Sequence, residues 1–438
     1  MKTKSAGSSR TWPVAACFLI SFFAGGLRIS GQQAPNKFSV ALLSGQWDAT
    51  VDIGQAEIPF RFEMAEQGTE LKGFFFEGDK KIASTSASYA DGRLQFEYEY
   101  LDATLTATFD GETLDGAYHY HRKNGKKYPF HAQRHIRAAV RQSPQTQIPQ
   151  VTGDWEMKLV GEDHNPTKDP RTALSWKLYL RQTASDVTGS ILRVDGDTGT
   201  LTGSWQGDSL VLSHFAGERP VLLEATLRPD GTLDILFNKR NKYLAARTSD
   251  AQAKGIPEPP DPAKFTSVTE RDEPFHFSFP DANGTIVSDA DARFKNKVVI
   301  LAIGGTWCPN CRDEAPFLVN LYRRFHADGL EIVGLNFEAS GDFAEDKPRL
   351  DSFVHEFSIP YPVLYAGAIP NVTDKLPRIA NFDSYPTTIY LGRDGRVASV
   401  RAGFAGPATG TAHLALQIEV DQLVQRLLDG GNMEHASR

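Results

Sequence analysis

The chain has 438 residues, of which 40% are hydrophobic and 23% are charged, and this composition predicts a globular protein of about two to four domains. Its formal net charge is −7 at pH 7, so the chain as a whole presents no basic field to a polyanion. Nucleic acid is therefore not an expected partner.

The N-terminal segment predicts export. A basic stretch at residues 2–10 precedes an apolar run at residues 12–27, which is the layout of a secretory signal peptide, and we assign residues 1–35 to it. The competing interpretation is an uncleaved anchor that holds the chain at the membrane. The run contains Pro13 and is shorter than the roughly 20 apolar residues that a spanning helix needs, so cleavage is favoured. The expected location is the periplasm or cell envelope.

The chain has three cysteines. Cys17 lies in the signal segment, where most of the apolar run follows it, whereas in a lipoprotein signal the apolar run precedes the cysteine. Removal of the segment would leave only Cys308 and Cys311. An exported chain with this single pair has no disulfide framework.

Two stretches rich in Pro, Gln and small polar residues, 138–153 and 250–274, are typical of linkers and divide the chain into three pieces. In the first piece, residues 38–137, short alternating segments between Gly and Asp turns predict an antiparallel β meander. The second piece, residues 151–249, repeats the first in outline. The third piece, residues 275–429, alternates strand-like and helix-like segments and predicts an α/β sheet with helices on both faces.

The repeat is visible in matched landmarks. "SGQWDATV" (44–51) corresponds to "TGDWEMKL" (152–159), and three further pairs follow in the same order. We predict two related antiparallel β domains of about six to eight strands, each a barrel or a sandwich, followed by the α/β domain. The G-x-W opening is similar to that of lipocalin-like barrels over three residues only. We expect Trp47 and Trp155 to be core residues of the two copies.

Neither β repeat shows a catalytic constellation. His119 and His121 share one strand face beside an Asn124–Gly125 turn, and we interpret them as a solvated strand face because no matching ligand set for a metal or anion can be named. The repeats are therefore assigned to partner binding, substrate presentation or spacing.

In the third piece we predict strands at 296–305, 330–338 and 361–367, a hairpin at 387–403, and helices at 311–329, 347–359 and 412–431. The sequence "GGTWCPNCRDEAPFL" places Cys308 at the entrance of the first of these helices. Backbone N–H groups and the positive end of the helix dipole favour its thiolate, so Cys308 is the predicted nucleophile. Cys311 lies about one turn further on, where we expect it to be more buried and to resolve the mixed disulfide.

Three other interpretations of the pair are weaker. A structural zinc site needs four ligands, but a second CxxC is absent, and the nearest histidines, His326 and His355, have no H-x₃₋₅-H partner. A purely structural disulfide across so short a loop stabilises little. A peroxide-reducing site would place Thr or Ser at position 305 and Pro at 301, which are Gly305 and Leu301 here.

The third piece resembles the thioredoxin superfamily, and within it the exported TlpA/ResA-like (DsbE-type, redoxin) thiol-disulfide oxidoreductases. The resemblance rests on "FHFSFPDANGTIVSDADARFKNKVVILAI", "TWCPNC" and "SYPTTIYLGRDGRV", and on the D-x-x-G turn of Asp281 and Gly284. It covers about a third of the chain and implies a thioredoxin-like α/β fold.

The resemblance also implies roles for residues near the cysteines. Pro386 would follow a cis peptide bond and face the substrate, Trp307 would pack over the site, and Pro316 would kink the helix. Glu314 matches a glutamate that such proteins keep near the cysteines and is the candidate proton acceptor for Cys311. From the residues alone, a solvated charge on the helix surface is the alternative for Glu314.

Three positions depart from the family pattern. Ala302 stands where cytosolic thioredoxins carry a buried aspartate, which fits the exported branch. Gly304 and Gly305 replace an aromatic and a small residue, so we expect a more open floor. The dipeptide between the cysteines, Pro309–Asn310, lacks the histidine of strongly oxidising members, and we expect a reductant.

We therefore expect an exported enzyme that reduces or exchanges protein disulfides through Cys308 and Cys311. It would need no cofactor beyond this redox-active disulfide, and its partners would be protein thiols or disulfides and an electron donor in the membrane or periplasm. Two alternatives stay open. One is a cell-envelope binding protein with an accessory thioredoxin-like unit, and the other is a thiol-dependent peroxide-reducing enzyme.

Overall fold

The computed structural model describes residues 42–68, 70–121, 125–136, 148–161, 164–167 and 170–430. The predicted signal segment at residues 1–35, Cys17 and most of the predicted linker at 138–153 lie outside this part of the chain. Within the described ranges, no helix is both long and apolar enough to cross a membrane.

The first piece folds into a nine-stranded antiparallel sheet that curls into an open barrel, called barrel 1. Its strands are β1 (Gly45–Asp52), β2 (Glu57–Gln67), β3 (Glu70–Glu77), β4 (Lys80–Ala83), β5 (Ser86–Ala90), β6 (Arg93–Tyr98), β7 (Ala103–Phe109), β8 (Thr113–Tyr120) and β9 (Lys127–Arg134). Consecutive strands pair and β1 pairs with β9, but β4 and β5 share no ladder, so the ring is open there. Strict alternation turns Phe75 into the core while its neighbours Phe74 and Phe76 lie on the other face.

The second piece forms barrel 2, which is closed. Its strands are β10 (Gly153–Val160), β11 (Ser175–Thr183), β12 (Asp186–Arg193), β13 (Gly196–Asp197), β14 (Leu201–Gln206), β15 (Ser209–His214), β16 (Val221–Leu227), β17 (Leu233–Phe237) and β18 (Asn241–Arg247). The paired strands follow the order β11-β10-β18-β17-β16-β15-β14-β12, and β11 also pairs with β12, which closes the ring. The short β13 pairs with β12 outside the ring. Closure leaves no free edge along the main strands. The β repeats are thus barrels and not sandwiches.

The two barrels close their ends in the same way. Trp47 and Trp155 are fully buried, and each indole N–H donates to the carbonyl oxygen four residues earlier, at 3.0 and 2.9 Å. The guanidinium groups of Arg134 and Arg247 stack on these indoles at 4.4 and 4.2 Å from the ring centroids. Each arginine lies opposite its tryptophan on the neighbouring strand. Both tryptophans are core residues that anchor the first strand to the last.

The hydrophobic core of barrel 1 includes residues that come from barrel 2, although barrel 2 also has a core of its own. The segment between β15 and β16, residues 215–220, leaves barrel 2 and enters the mouth of barrel 1; we call it the crossing loop. Phe215 packs 4.9 Å from Phe60 and 5.3 Å from Tyr118, measured between ring centroids, and belongs to the buried cluster of barrel 1. The Tyr120 hydroxyl donates to the carbonyl oxygen of Gly217. Barrel 1 is therefore completed by residues of barrel 2.

The C-terminal unit is a five-stranded α/β sheet. In chain order its elements are α1 (Pro262–Phe265), β19 (Ser267–Val268), β20 (Ser278–Pro280), β21 (Ile286–Ser288), β22 (Val298–Gly304), α2 (Pro309–Phe325), β23 (Leu330–Glu338), α3 (Phe343–Phe357), β24 (Val363–Ala368), α4 (Val372–Lys375), β25 (Ile379–Ala380), β26 (Thr387–Leu391), β27 (Val397–Ala402) and α5 (Thr411–Leu428). The strand order is β24-β23-β22-β26-β27, with β22, β23 and β24 parallel and the last two antiparallel. This arrangement is thioredoxin-like.

The long helices of this unit all pack on one face of the sheet. Leucines and valines of α2, α3 and α5 form one buried cluster with alternate residues of β22 such as Ile300. The opposite face carries Leu301 and is covered by phenylalanines of residues 268–294 and by the one-turn α4. The three long helices predicted from the sequence thus share one face, and the other face is covered by the short α4 and by the aromatic lead-in.

The Pro-rich stretch at residues 250–274 is anchored at a few points, although most of its residues are exposed. Ile256 is buried, and the Ser175 hydroxyl donates to the carbonyl oxygen of Pro257. Val268 pairs with Ile379 through the short β19–β25 ladder. The stretch thus fastens the C-terminal unit to barrel 2.

Candidate active site

The cysteine pair lies where β22 gives way to α2. Cys308 is the N-cap residue of α2, with φ −90°, and Pro309 occupies the first helical position, where its missing N–H costs no hydrogen bond. Cys308 and Cys311 form a disulfide, and the Cys311 N–H donates to Cys308 Sγ at 3.2 Å. In the reduced protein, this N–H and the helix dipole stabilise a thiolate on Cys308.

The loop before Cys308 is held by a buried carboxylate. Glu338, the last residue of β23, accepts hydrogen bonds from the Thr306 N–H at 2.9 Å and the Thr306 hydroxyl at 2.6 Å. Burial raises the pKa of Glu338, while its hydrogen bonds from Thr306 and Asn336 oppose that rise. Sequence reasoning missed this residue. The available signal was a carboxylate at the end of a buried parallel strand next to the active-site loop.

Two aromatic side chains close the flank of the site. The Trp307 indole N–H donates to the carbonyl oxygen of Phe337 at 2.8 Å, and its ring meets that of Tyr385 edge to face at 5.1 Å. The Tyr385–Pro386 peptide bond is cis. The Pro386 carbonyl oxygen accepts a 2.7 Å hydrogen bond from the Gly403 N–H. Trp307, Pro386 and the end of β27 therefore form one wall of the active site.

Glu314 is buried and not a solvated helix charge. Its side chain is turned towards β26, where its Oε1 accepts a 2.7 Å hydrogen bond from the Thr388 hydroxyl, and only 5% of the residue is exposed. Burial raises the pKa of Glu314 to about 7, and the bond from Thr388 lowers it only in part. Glu314 and Cys311 line the same small cavity of about 30 Å³. The carboxyl can therefore exchange a proton near neutral pH beside the second cysteine.

The glycines before the motif lie against neighbouring groups of the site. A Cβ on Gly305 would collide with the Trp307 indole and with the carbonyl oxygen of Phe337, and a Cβ on Gly304 would lie 3.2 Å from Cys311 Sγ. Trp307 occupies part of the space beside Gly305, while both glycines line the small cavity that also contains Cys311 and Glu314.

Comparison with known proteins agrees with this geometry. Residues 271–399 match the family described as AhpC/TSA. The thiol-disulfide oxidoreductase ResA of Bacillus subtilis is 30% identical over 138 residues, which are 31% of this chain and 69% of that protein. The thioredoxin-like protein YneN of the same species is 30% identical over 142 residues, or 32% and 75% of the two chains.

The chain belongs to the ResA-like thiol-disulfide oxidoreductases.

Other ResA proteins of the genera Bacillus and Geobacillus match over 57–65% of their length, so the chain spans less than two thirds of those relatives. A solved DsbF homologue from Corynebacterium diphtheriae is 25% identical, with a TM-score of 0.28, and covers 36% of this chain and 93% of its own. A secreted thiol-disulfide isomerase from Corynebacterium glutamicum is 22% identical, with a TM-score of 0.30, over 39% and 96%.

In this ResA-like oxidoreductase the first cysteine is the more buried of the two. Cys308 is 2% exposed and Cys311 is 6% exposed, so the expectation that Cys311 would be the more buried was wrong. The reason is that barrel 2 packs on the dipeptide between the cysteines. The Asn310 amide N–H donates to the carbonyl oxygen of Asp195 at 2.8 Å, and its Oδ1 accepts from Arg219 Nη1 at 2.8 Å.

Arg219, from the crossing loop, lies at the centre of a buried charged cluster between the three units. Its guanidinium is 3.2 Å from Asp313 Oδ2 and 3.7 Å from Glu77 Oε2. Asp197 accepts hydrogen bonds from the Gly406 N–H at 2.6 Å and the Gly199 N–H at 2.7 Å. Burial raises the pKa of Asp197 to about 6 although Arg219 opposes the rise. Sequence reasoning did not find Arg219 or Asp197, because both lie in a β repeat.

The histidine pair of barrel 1 makes no contact with either cysteine in the described part of the chain. The rings of His119 and His121 are 4.7 Å apart, and His121 Nε2 is 2.5 Å from the Thr104 hydroxyl. Among the described residues, no group of three or more His, Cys, Asp or Glu side chains is placed to hold a metal ion.

Proposed function

We propose that the protein is an exported reductase of protein disulfides that works through Cys308 and Cys311. The observation that carries the proposal is the N-cap position of Cys308, whose sulfur accepts the Cys311 N–H and so is prepared to carry negative charge. Relatives titled secreted, together with the signal-like residues 1–35, support export.

The reaction balances over two thiol exchanges. The Cys308 thiolate attacks one sulfur of the substrate disulfide, and the other substrate sulfur leaves as a thiolate. Cys311 then loses its proton and attacks Cys308 Sγ, which releases the second substrate sulfur. The substrate gains two electrons, and the enzyme is left with the Cys308–Cys311 disulfide. A dithiol donor in the membrane or periplasm reduces this disulfide by the same exchange in reverse, so no bound cofactor takes part.

Glu314 is the proposed acceptor of the Cys311 proton. It shares a cavity with Cys311, and a pKa of about 7 lets it take a proton and pass it on at neutral pH. Trp307 and Pro386 form the wall beside which a substrate strand would lie. A cis-proline suits this place because it has no N–H that would be left unpaired.

Cysteine variants test the proposal with insulin as the disulfide substrate. Cys308→Ser should abolish turnover, and Cys311→Ser should accumulate mixed disulfides that a thiol reagent releases. Cys17→Ser, which removes the cysteine outside the motif, is the matched control and should retain full turnover. Turnover by the Cys308→Ser variant would contradict the proposal.

The direction of electron flow is tested by the reduction potential of the pair in glutathione buffers. The Pro309–Asn310 dipeptide supports a reductant, for which we expect a reduction potential of about −270 mV. A reduction potential of about −120 mV would indicate an oxidant. Peroxide reduction is the weaker candidate, since Gly305 offers no hydroxyl to a peroxide. Rapid loss of thiols in hydrogen peroxide would favour it.

A further inference from the structure

The nucleophile of this oxidoreductase is covered by its own chain. The cover consists of residues 194–196, which we call the covering turn, and of Arg219 on the crossing loop. The covering turn joins β12 to β13 and lies against Asn310 on one side and against residues 403–404 on the other. Cys308, two residues before Asn310, is 2% exposed.

The fit of the covering turn depends on two glycines. A Cβ on Gly403 would collide with the carbonyl oxygen of Val194, and a Cβ on Gly196 would collide with the Asn310 amide and lie 2.8 Å from the carbonyl oxygen of Phe404. Backbone therefore meets backbone along this contact. Such an approach is specific to the two surfaces and leaves no room for a third chain between them.

The covering turn lies where a substrate strand has to lie. Gly403 donates to the Pro386 carbonyl oxygen, so the contact runs from the cis-proline wall to the dipeptide between the cysteines. A protein disulfide must enter between the cis-proline wall and the dipeptide between the cysteines to bring one of its sulfurs in line with Cys308 Sγ. With the turn in place, that approach is closed.

Polar and charged groups hold the covering turn in place. Asn310 donates to the Asp195 carbonyl oxygen, and Arg219 joins the Asn310 and Asp313 side chains of α2 through separate N–H groups. These contacts are polar and join domains that each have their own core, which is the kind of interface at which domains move relative to one another. Loss of one charged hydrogen bond shifts the balance between closed and open forms by about tenfold.

We propose that the covering turn and Arg219 are specificity determinants, which exclude folded protein disulfides from Cys308 until barrel 2 is displaced from α2. The proposal rests on the proposed function, because it concerns access to the same nucleophile. In the closed form neither the covering turn nor Arg219 reacts; they decide only which molecules reach the sulfur.

Gly196→Ala tests the proposal from the barrel side. The added Cβ would push the covering turn off Asn310. Gly207→Ala is the matched control, because Gly207 also has a positive φ, of 63° against 124° for Gly196, but a Cβ there would meet nothing within 4 Å. Arg219→Ala loosens the same contact without a collision, and Arg219→Lys restores the charge without the forked geometry.

Access is measured in a Cys17→Ser, Cys311→Ser background, in which Cys308 is the sole thiol. The rate of alkylation by N-ethylmaleimide is compared with that by a polyethylene-glycol maleimide. Gly196→Ala and Arg219→Ala should each raise the rate with the large reagent by about tenfold or more relative to Gly207→Ala, with Arg219→Lys in between. Thermal unfolding of each variant establishes that it is folded.

Two outcomes overturn the proposal. One is an unchanged large-reagent rate in both variants. The other, measured in chains that keep Cys308 and Cys311, is a shift of the reduction potential that accounts for the whole change in rate, since Arg219 would then tune the chemistry and not the access. Failure of the proposed function would look different, because the wild-type protein would then fail to reduce even a small aromatic disulfide.

Discussion

Equivalent hairpin turns of the two barrels make different contacts. In barrel 1 the turn between β3 and β4, residues 78–79, lies against barrel 2, where Glu77 beside it accepts the Thr200 N–H at 2.6 Å. In barrel 2 the corresponding turn between β12 and β13 lies against the C-terminal unit, where Asp195 accepts from Asn310. The repeated fold is thus used twice as a connector. Of these two turns, the one in barrel 2 contacts the dipeptide between the cysteines.

Replacing the buried tryptophans should have the largest effect on stability, and the effect should be similar in the two barrels. Trp47→Ala and Trp155→Ala should each lower the free energy of unfolding by about 3–5 kcal/mol, because each removes a fully buried ring together with its arginine stack. Denaturant unfolding, followed by fluorescence and by circular dichroism, measures the loss. Equal losses support equivalent roles in the two barrels, whereas a loss under about 1 kcal/mol in either variant would contradict a core role for that tryptophan.

Two buried carboxylates should respond to pH in opposite directions. The pKa of Glu314 is raised from 4.5 to about 7 by burial, so its contribution to stability is present below pH 4.5 and is lost as the pH rises through 7. Burial would also raise the pKa of Glu77, but the charges of His214 and Arg219 prevail and lower it. The contribution of Glu77 is therefore present above pH 4.5 and is lost as the pH falls through its lowered value.

Glu314→Gln separates these effects. It should remove a pH-dependent loss of up to about 3 kcal/mol between pH 4.5 and 8, so the variant gains stability relative to the wild type as the pH rises. Chemical denaturation at several pH values measures this. Glu345→Gln, on the exposed side of α3, is the control and should leave the pH profile unchanged. A parallel profile for Glu314→Gln and the wild type would show that folding does not change the pKa of Glu314.

The contact of Glu77 with Thr200 and the contact of Asp197 with Gly406 should loosen independently. This is the smallest expected effect. Glu77→Gln should speed hydrogen exchange at the Thr200 amide by about tenfold, and Asp197→Asn should do so at the Gly406 amide, because each amide loses a charged acceptor. Each variant is the control for the other amide. Faster exchange at both amides in one variant would mean that the two contacts open together.

The sequence predicted the chemistry of the site better than its surroundings. The pair Cys308 and Cys311 follows from the local CxxC motif, and the cis peptide before Pro386 follows from the resemblance to the thioredoxin superfamily. The stacked tryptophan and arginine of each barrel could be predicted only in part, from the tryptophan. The burial of Glu314 could not be decided from "RDE", because whether a helix charge faces solvent depends on the strand opposite, where Thr388 donates to it. The contact of Asn310 with Asp195 joins residues that are 115 positions apart along the chain. Such contacts have no periodicity that a sequence displays.

The crossing loop also orders the assembly of the molecule. Phe215 and Leu222 are core residues of barrel 1, although the strands of barrel 1 end at Arg134. The portion of the chain that is synthesised first therefore cannot finish burying its own interior until part of barrel 2 has emerged behind it. A fragment that ends after barrel 1 would lack Phe215 and Leu222 and would leave part of the barrel 1 core exposed. We therefore expect the two barrels to fold together and not independently.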